Sequence, residues 1–297
     1  MDPTFQQVLE EHLGIFLIAL LLSLITCFIA WHKHYFRLPL LDCKSIRVTL
    51  IKVLTAFFIY FGVSIVVPFI LIQILKTFPM GLKQELSLET DAVKAWINLI
   101  IMAILFIAFW SYVSAINREA RQSVLGPRSF EGFSKNVRNV GMGILTFIIS
   151  FPLVLAVSQA FSILITYFGL SGHDQVAVRF LRSTMENPVL FGFTSFFIII
   201  IVPVIEELIF RGFLQNWIAR HLGRIVAIVI TAVIFSCFHF SFSQGWGNLE
   251  IIPSLFTLAL FLGYVYFRQQ SIYASIGLHA TFNGVNILLM SLAPVST

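Results

Sequence analysis

The chain has 297 residues, 58% of them hydrophobic and 11% charged, with a mean hydropathy of +0.93. That balance lies outside the range of soluble domains and defines a polytopic membrane protein whose first partner is the lipid bilayer. The net charge of +5 does not indicate a nucleic-acid partner, because the Lys and Arg residues lie between apolar runs and form no aromatic-interleaved stripe.

Residues 1–12 carry Asp2, Glu10 and Glu11 but no Lys or Arg. They lack the basic start of a secretory signal, so the apolar run at 13–31 is expected to remain as a membrane helix. Further runs at 51–75, 95–116, 140–170, 189–220, 224–243, 251–267 and 272–292 predict an all-α, polytopic integral membrane helix bundle of about eight transmembrane helices. Two of these, 140–170 and 189–220, exceed one crossing, and Pro152 and Pro203 mark expected kinks. Twelve Lys and Arg fall in the odd-numbered connections, against five in the even-numbered connections and the C-terminal tail. The positive-inside rule then places both termini outside, in a plasma (inner) membrane. The basic segment 117–139, with Phe130 and Phe133, reads either as a surface segment on the anionic leaflet or as a solvated connection. Cys27, Cys43 and Cys237 form no metal-spaced pair and read as packing residues.

Three motifs in the last third place polar groups inside apolar runs: Glu206-Glu207-x-x-x-Arg211, Phe235-x-x-x-His239 and His279-x-x-x-Asn283. Glu206 and Glu207 close a nineteen-residue stretch, 187–205, without an ionisable side chain. A carboxylate there costs about 2.5–3.5 kcal/mol to insert, so the pair marks a functional site by default. Glu207 and Arg211 share a helix face four residues apart and are expected to pair, whereas Glu206 is turned about 100° away and has no partner in its own helix. His279 and Asn283 likewise share a face. Counted from the turn near Leu222, Glu206 and His239 come level at about 24–26 Å. His279 is only about 14 Å from its own turn at Gln270, so the first hairpin must extend about 10 Å further for all three motifs to meet.

Two chemistries fit this constellation. In the first, Glu206 in an apolar cavity is the base that takes a proton from water, His239 assists, and His279 and Asn283 donate to the oxyanion of a tetrahedral intermediate. In the second, Glu206, His239 and His279 hold Zn²⁺ with water in the fourth position. No two histidines have the spacing of a zincin helix, which favours the reading without a cofactor.

The three motifs, in this order on late membrane helices, resemble the CPBP family of intramembrane endopeptidases, the CAAX-protease and bacteriocin-processing group with its Abi-like members. That group includes the type II CAAX prenyl endopeptidases. The resemblance covers roughly residues 190–292 and implies an endopeptidase of membrane-associated protein or peptide substrates. It implies Glu206 as the base, His239 as its assistant, His279 and Asn283 as the oxyanion pair, and Glu207 and Arg211 as supports. The family is described both as metal-dependent and as a metal-independent glutamate protease. On this reading residues 1–139 are N-terminal transmembrane helices with basic connections and residues 140–297 a CPBP-like catalytic core. A non-catalytic scaffold or immunity protein of the same fold is one alternative. A proton-coupled transporter using Glu206 and the histidines as a relay is another.

Overall fold

The computed structural model describes residues 3–40, 42–77 and 91–292. The part of the second connection that holds Lys83, Glu85 and Glu89, and the C-terminal tail at 293–297, lie outside the described residues. The rest is helical apart from turns and one isolated bridge between Gly172 and Gly245.

The helices follow the apolar runs. They are α1 (Pro3–His32), α2 (Leu50–Thr77), α3 (Asp91–Ala115), α4 (Arg118–Leu125), α5 (Phe133–Tyr167), α6 (Val176–Arg182), α7 (Pro188–Leu222), α8 (Arg224–Cys237), α9 (Asn248–Gln269) and α10 (Ile272–Leu292). Among the described residues, seven of them are long and apolar enough to cross a bilayer. The sixth expected span, 224–243, is cut short. Its helix stops at Cys237, and 14 residues give about 21 Å against a core of about 30 Å. Large apolar side chains such as Leu17, Leu21, Phe28, Phe58 and Ile65 point outward, as lipid-facing positions do.

Helix α5 runs through Pro152 without a break and packs against α1, α9 and α10. Its crossing with α10 depends on glycine. A Cβ on Gly143 would lie 2.3 Å from the Ala274 carbonyl oxygen, and one on Gly277 would lie 2.8 Å from that of Val140. Small residues allow the two backbones this approach, which holds α10 and its His279 in place.

Helix α7 is composite. α-Helical turns alternate with π-helical segments at Phe197–Ile201 and Leu208–Gln215, leaving Val202–Glu207 as a short α segment between them. The core around it draws Val53 and Ala56 from α2, Leu105 and Phe109 from α3, Phe210 and Phe213 from α7, and Phe235 from α8. The 117–139 segment is neither wholly a surface segment nor a solvated connection. Ala120 and Val124 of α4 are fully buried, and Asn216 of α7 donates to the Ser123 carbonyl at 2.7 Å. Phe133, by contrast, is 85% exposed. Helix α4 thus packs against the later turns of α7.

Candidate active site

The two glutamates occupy unlike environments. Glu207 is fully buried and accepts from Arg211 Nη1 at 2.8 Å, with Arg211 also fully buried. Arg211 spends a second donor on the Ala259 carbonyl of α9 at 3.3 Å, and its Cζ sits 4.5 Å over the Phe235 ring. One turn on, Gln215 repeats the pattern and donates to the Gly263 carbonyl at 3.0 Å. The side chain of Glu206 keeps 16% of its surface exposed.

His279 lies between the two carboxylates. Its Nδ1 is 2.9 Å from Glu207 Oε1, and its Nε2 is 3.7 Å from Glu206 Oε2. A carboxylate already paired with a guanidinium accepts and does not donate, so Nδ1 carries the hydrogen. In the neutral ring Nε2 is then a lone pair facing Glu206. The bond from His279 to Glu207 joins residues 72 positions apart, and no local spacing announces it.

Asn283, one turn further along α10, donates through Nδ2 to the Ile198 carbonyl at 2.9 Å. The π turn explains this acceptor. The Val202 amide bonds Phe197, and Pro203 has no N–H to offer, so the Ile198 carbonyl is left for a side chain. The second hydrogen of the Asn283 amide remains available.

His239 stands just past the end of α8. Its Nδ1 is 2.9 Å from the Phe235 carbonyl, one of the acceptors that a helix C-terminus leaves open. Its Nε2 bonds nothing among the described residues, and no ion pair joins His239 to either glutamate. Contact runs instead through Phe235, whose ring centroid lies 4.8 Å from that of His239 and 5.9 Å from that of His279. Among the described residues, no three His, Cys, Asp or Glu side chains form a metal-holding group. Glu206, His239 and His279 are thus not gathered into one metal-holding group in this arrangement.

Two residues beyond the motifs hold the loop after His239. Gln244 is 1% exposed, donates to the His239 carbonyl at 3.1 Å and to Asn248 Oδ1 at 2.7 Å, and accepts from the Val176 amide at 3.2 Å. Asn248 donates to the Ser241 and Gly245 carbonyls at 2.8 and 2.9 Å. From the N-terminal half, Tyr60 of α2 interacts electrostatically with Glu206.

Fold and cluster together define the class: a multi-pass, all-α membrane protein with a carboxylate–imidazole–guanidinium cluster within its helices. Residues 188–285 match the Rce1-like family, described as type II CAAX prenyl endopeptidase Rce1-like, which is consistent with the CPBP resemblance. That interval contains Glu206, Glu207, Arg211, His239, His279 and Asn283. No curated protein and no solved structure matches the chain.

Proposed function

We propose that this protein is an intramembrane endopeptidase that hydrolyses a peptide bond of a membrane-associated substrate, with Glu206 as the base. The observation that carries this reading is the asymmetry of the glutamate pair. Glu207 is sealed by Arg211 and His279, while Glu206 keeps an accessible edge beside the His279 Nε2 lone pair.

In this mechanism a water lies between Glu206 and the scissile carbonyl. Glu206 takes one of its protons as the oxygen attacks the carbonyl carbon. The tetrahedral intermediate collapses with cleavage of the C–N bond, and Glu206 returns the proton to the leaving amine. His279, expected from the sequence to donate to the oxyanion, is read here with its Nδ1–H committed to Glu207, so that Nε2 accepts from the same water and orients it. The free hydrogen of Asn283 faces the developing oxyanion, where a fixed donor is worth more than in bulk solvent. His239, with Nδ1 spent on Phe235, offers Nε2 as a secondary proton acceptor. Glu207 and Arg211 hold His279 in one tautomer. The proposed setting is the plasma membrane, and the substrate is of the CAAX or bacteriocin-precursor type; both termini outside followed from eight crossings and is not carried over to seven.

The test is cleavage by the purified chain in liposomes, with products identified by mass spectrometry. Prenylated and unprenylated membrane-anchored peptides are compared, each with and without a chelator. Cleavage at a single bond that survives chelation is expected. Loss of cleavage with chelator, restored by zinc, contradicts the metal-free base, and absence of cleavage from every peptide contradicts the endopeptidase.

A further inference from the structure

We propose that the phenol of Tyr60 on α2 donates a hydrogen bond to the reacting carbonyl oxygen beside Glu206, as a catalytic residue supplied by the N-terminal half. The inference deepens the endopeptidase reading and rests on it.

Each preorganised donor aimed at the oxyanion of a tetrahedral intermediate adds to its stabilisation. The Nδ1–H of His279 is spent on Glu207, and one of the two hydrogens of the Asn283 amide is spent on Ile198. Of the motif donors, Asn283 thus keeps one free N–H, while the unpartnered Nε of Arg211 is sealed in the interior. The hydroxyl of Tyr60 bonds nothing among the described residues, and it is not one of the buried, unpartnered side-chain oxygens. A phenol on a half-buried ring with its O–H uncommitted is an available donor.

Register brings that donor to Glu206. Helices α2 and α7 pack together, and as even- and odd-numbered spans they run antiparallel. Phe57 meets Phe210 edge to face with ring centroids 6.1 Å apart. Three residues onward along α2 from Phe57 is Tyr60, about 4.5 Å, and four residues back along α7 from Phe210 is Glu206, about 6 Å. The Tyr60 ring is held at this level against Phe238, the residue before His239, with centroids 6.2 Å apart. Its electrostatic interaction with Glu206 agrees with the register.

The experiment compares Tyr60→Phe with the wild type in liposomes on a membrane-anchored peptide that the wild type cleaves. The variant keeps the ring and removes only the O–H. We expect kcat to fall about 10²-fold, with KM and melting temperature close to wild type. A second variant, Phe61→Leu, perturbs the neighbouring ring of the same aromatic cluster and is expected to retain wild-type kcat. Wild-type kcat in Tyr60→Phe overturns the proposal. So does a kcat loss accompanied by a lower melting temperature, or an equal loss in Phe61→Leu, since either assigns the effect to packing. A wild type inactive on every peptide overturns the endopeptidase reading itself, and this inference with it.

Discussion

Arg211 is the residue on which the buried charges depend. It is fully enclosed, and without it Glu207 would retain only the His279 imidazole as a partner. Removing one member of a buried ion pair costs about 3–5 kcal/mol, so Arg211→Met is expected to lower the melting temperature in detergent sharply, well beyond a surface substitution. Asn283→Ala is expected to cost less, about 1–3 kcal/mol, by leaving the Ile198 carbonyl unsatisfied, and the same thermal melt measures it. The Glu207–Arg211 pair could be read from the sequence because a four-residue spacing fixes a helix face. The bond from His279 to Glu207 could not, since it is set by the tertiary approach of α10 to α7.

At the scale of elements, the short α8 and the loop after it decide where His239 sits. The apolar run 224–243 suggested a full span, yet polar side chains capture the backbone beyond Cys237. Ser241, Gln244 and Asn248 satisfy carbonyls and amides that a continuing helix would have paired. Gln244→Leu is expected to cost about 1–3 kcal/mol and to raise hydrogen–deuterium exchange selectively across residues 238–247. Unchanged exchange there would show that the loop is held by other contacts. The π segments of α7 were also hidden, because hydrophobic periodicity does not distinguish an α turn from a π turn over five to eight residues. Pro203 gave a partial sign, since it stands where the first π segment returns to α and removes the amide whose absence Asn283 answers.

At the scale of the molecule, two close approaches assemble the site. The Gly143–Gly277 crossing fixes α10 against α5, and the aromatic contact of Phe57 with Phe210 fixes α2 against α7. Gly277→Leu forces side-chain volume against the Val140 carbonyl. It is expected to lower stability by about 1–3 kcal/mol or more and to reduce cleavage, with melting temperature and rate falling together. Chain-wide composition was enough to recover the helices, since a membrane span declares itself by length and hydropathy. Their neighbours were less visible, because apolar runs of similar character carry no address. The contribution of α2 in particular, from a stretch without any of the three motifs, comes only from packing.

The central claim, that Glu206 is the base, is tested most directly by the cleavage rate of Glu206→Gln in liposomes beside its melting temperature. The amide keeps the size and hydrogen-bonding capacity of the side chain but cannot take a proton from water. The predicted result is a rate lower by about 10²–10⁴-fold with an unchanged melting temperature. A variant that cleaves at the wild-type rate contradicts the account.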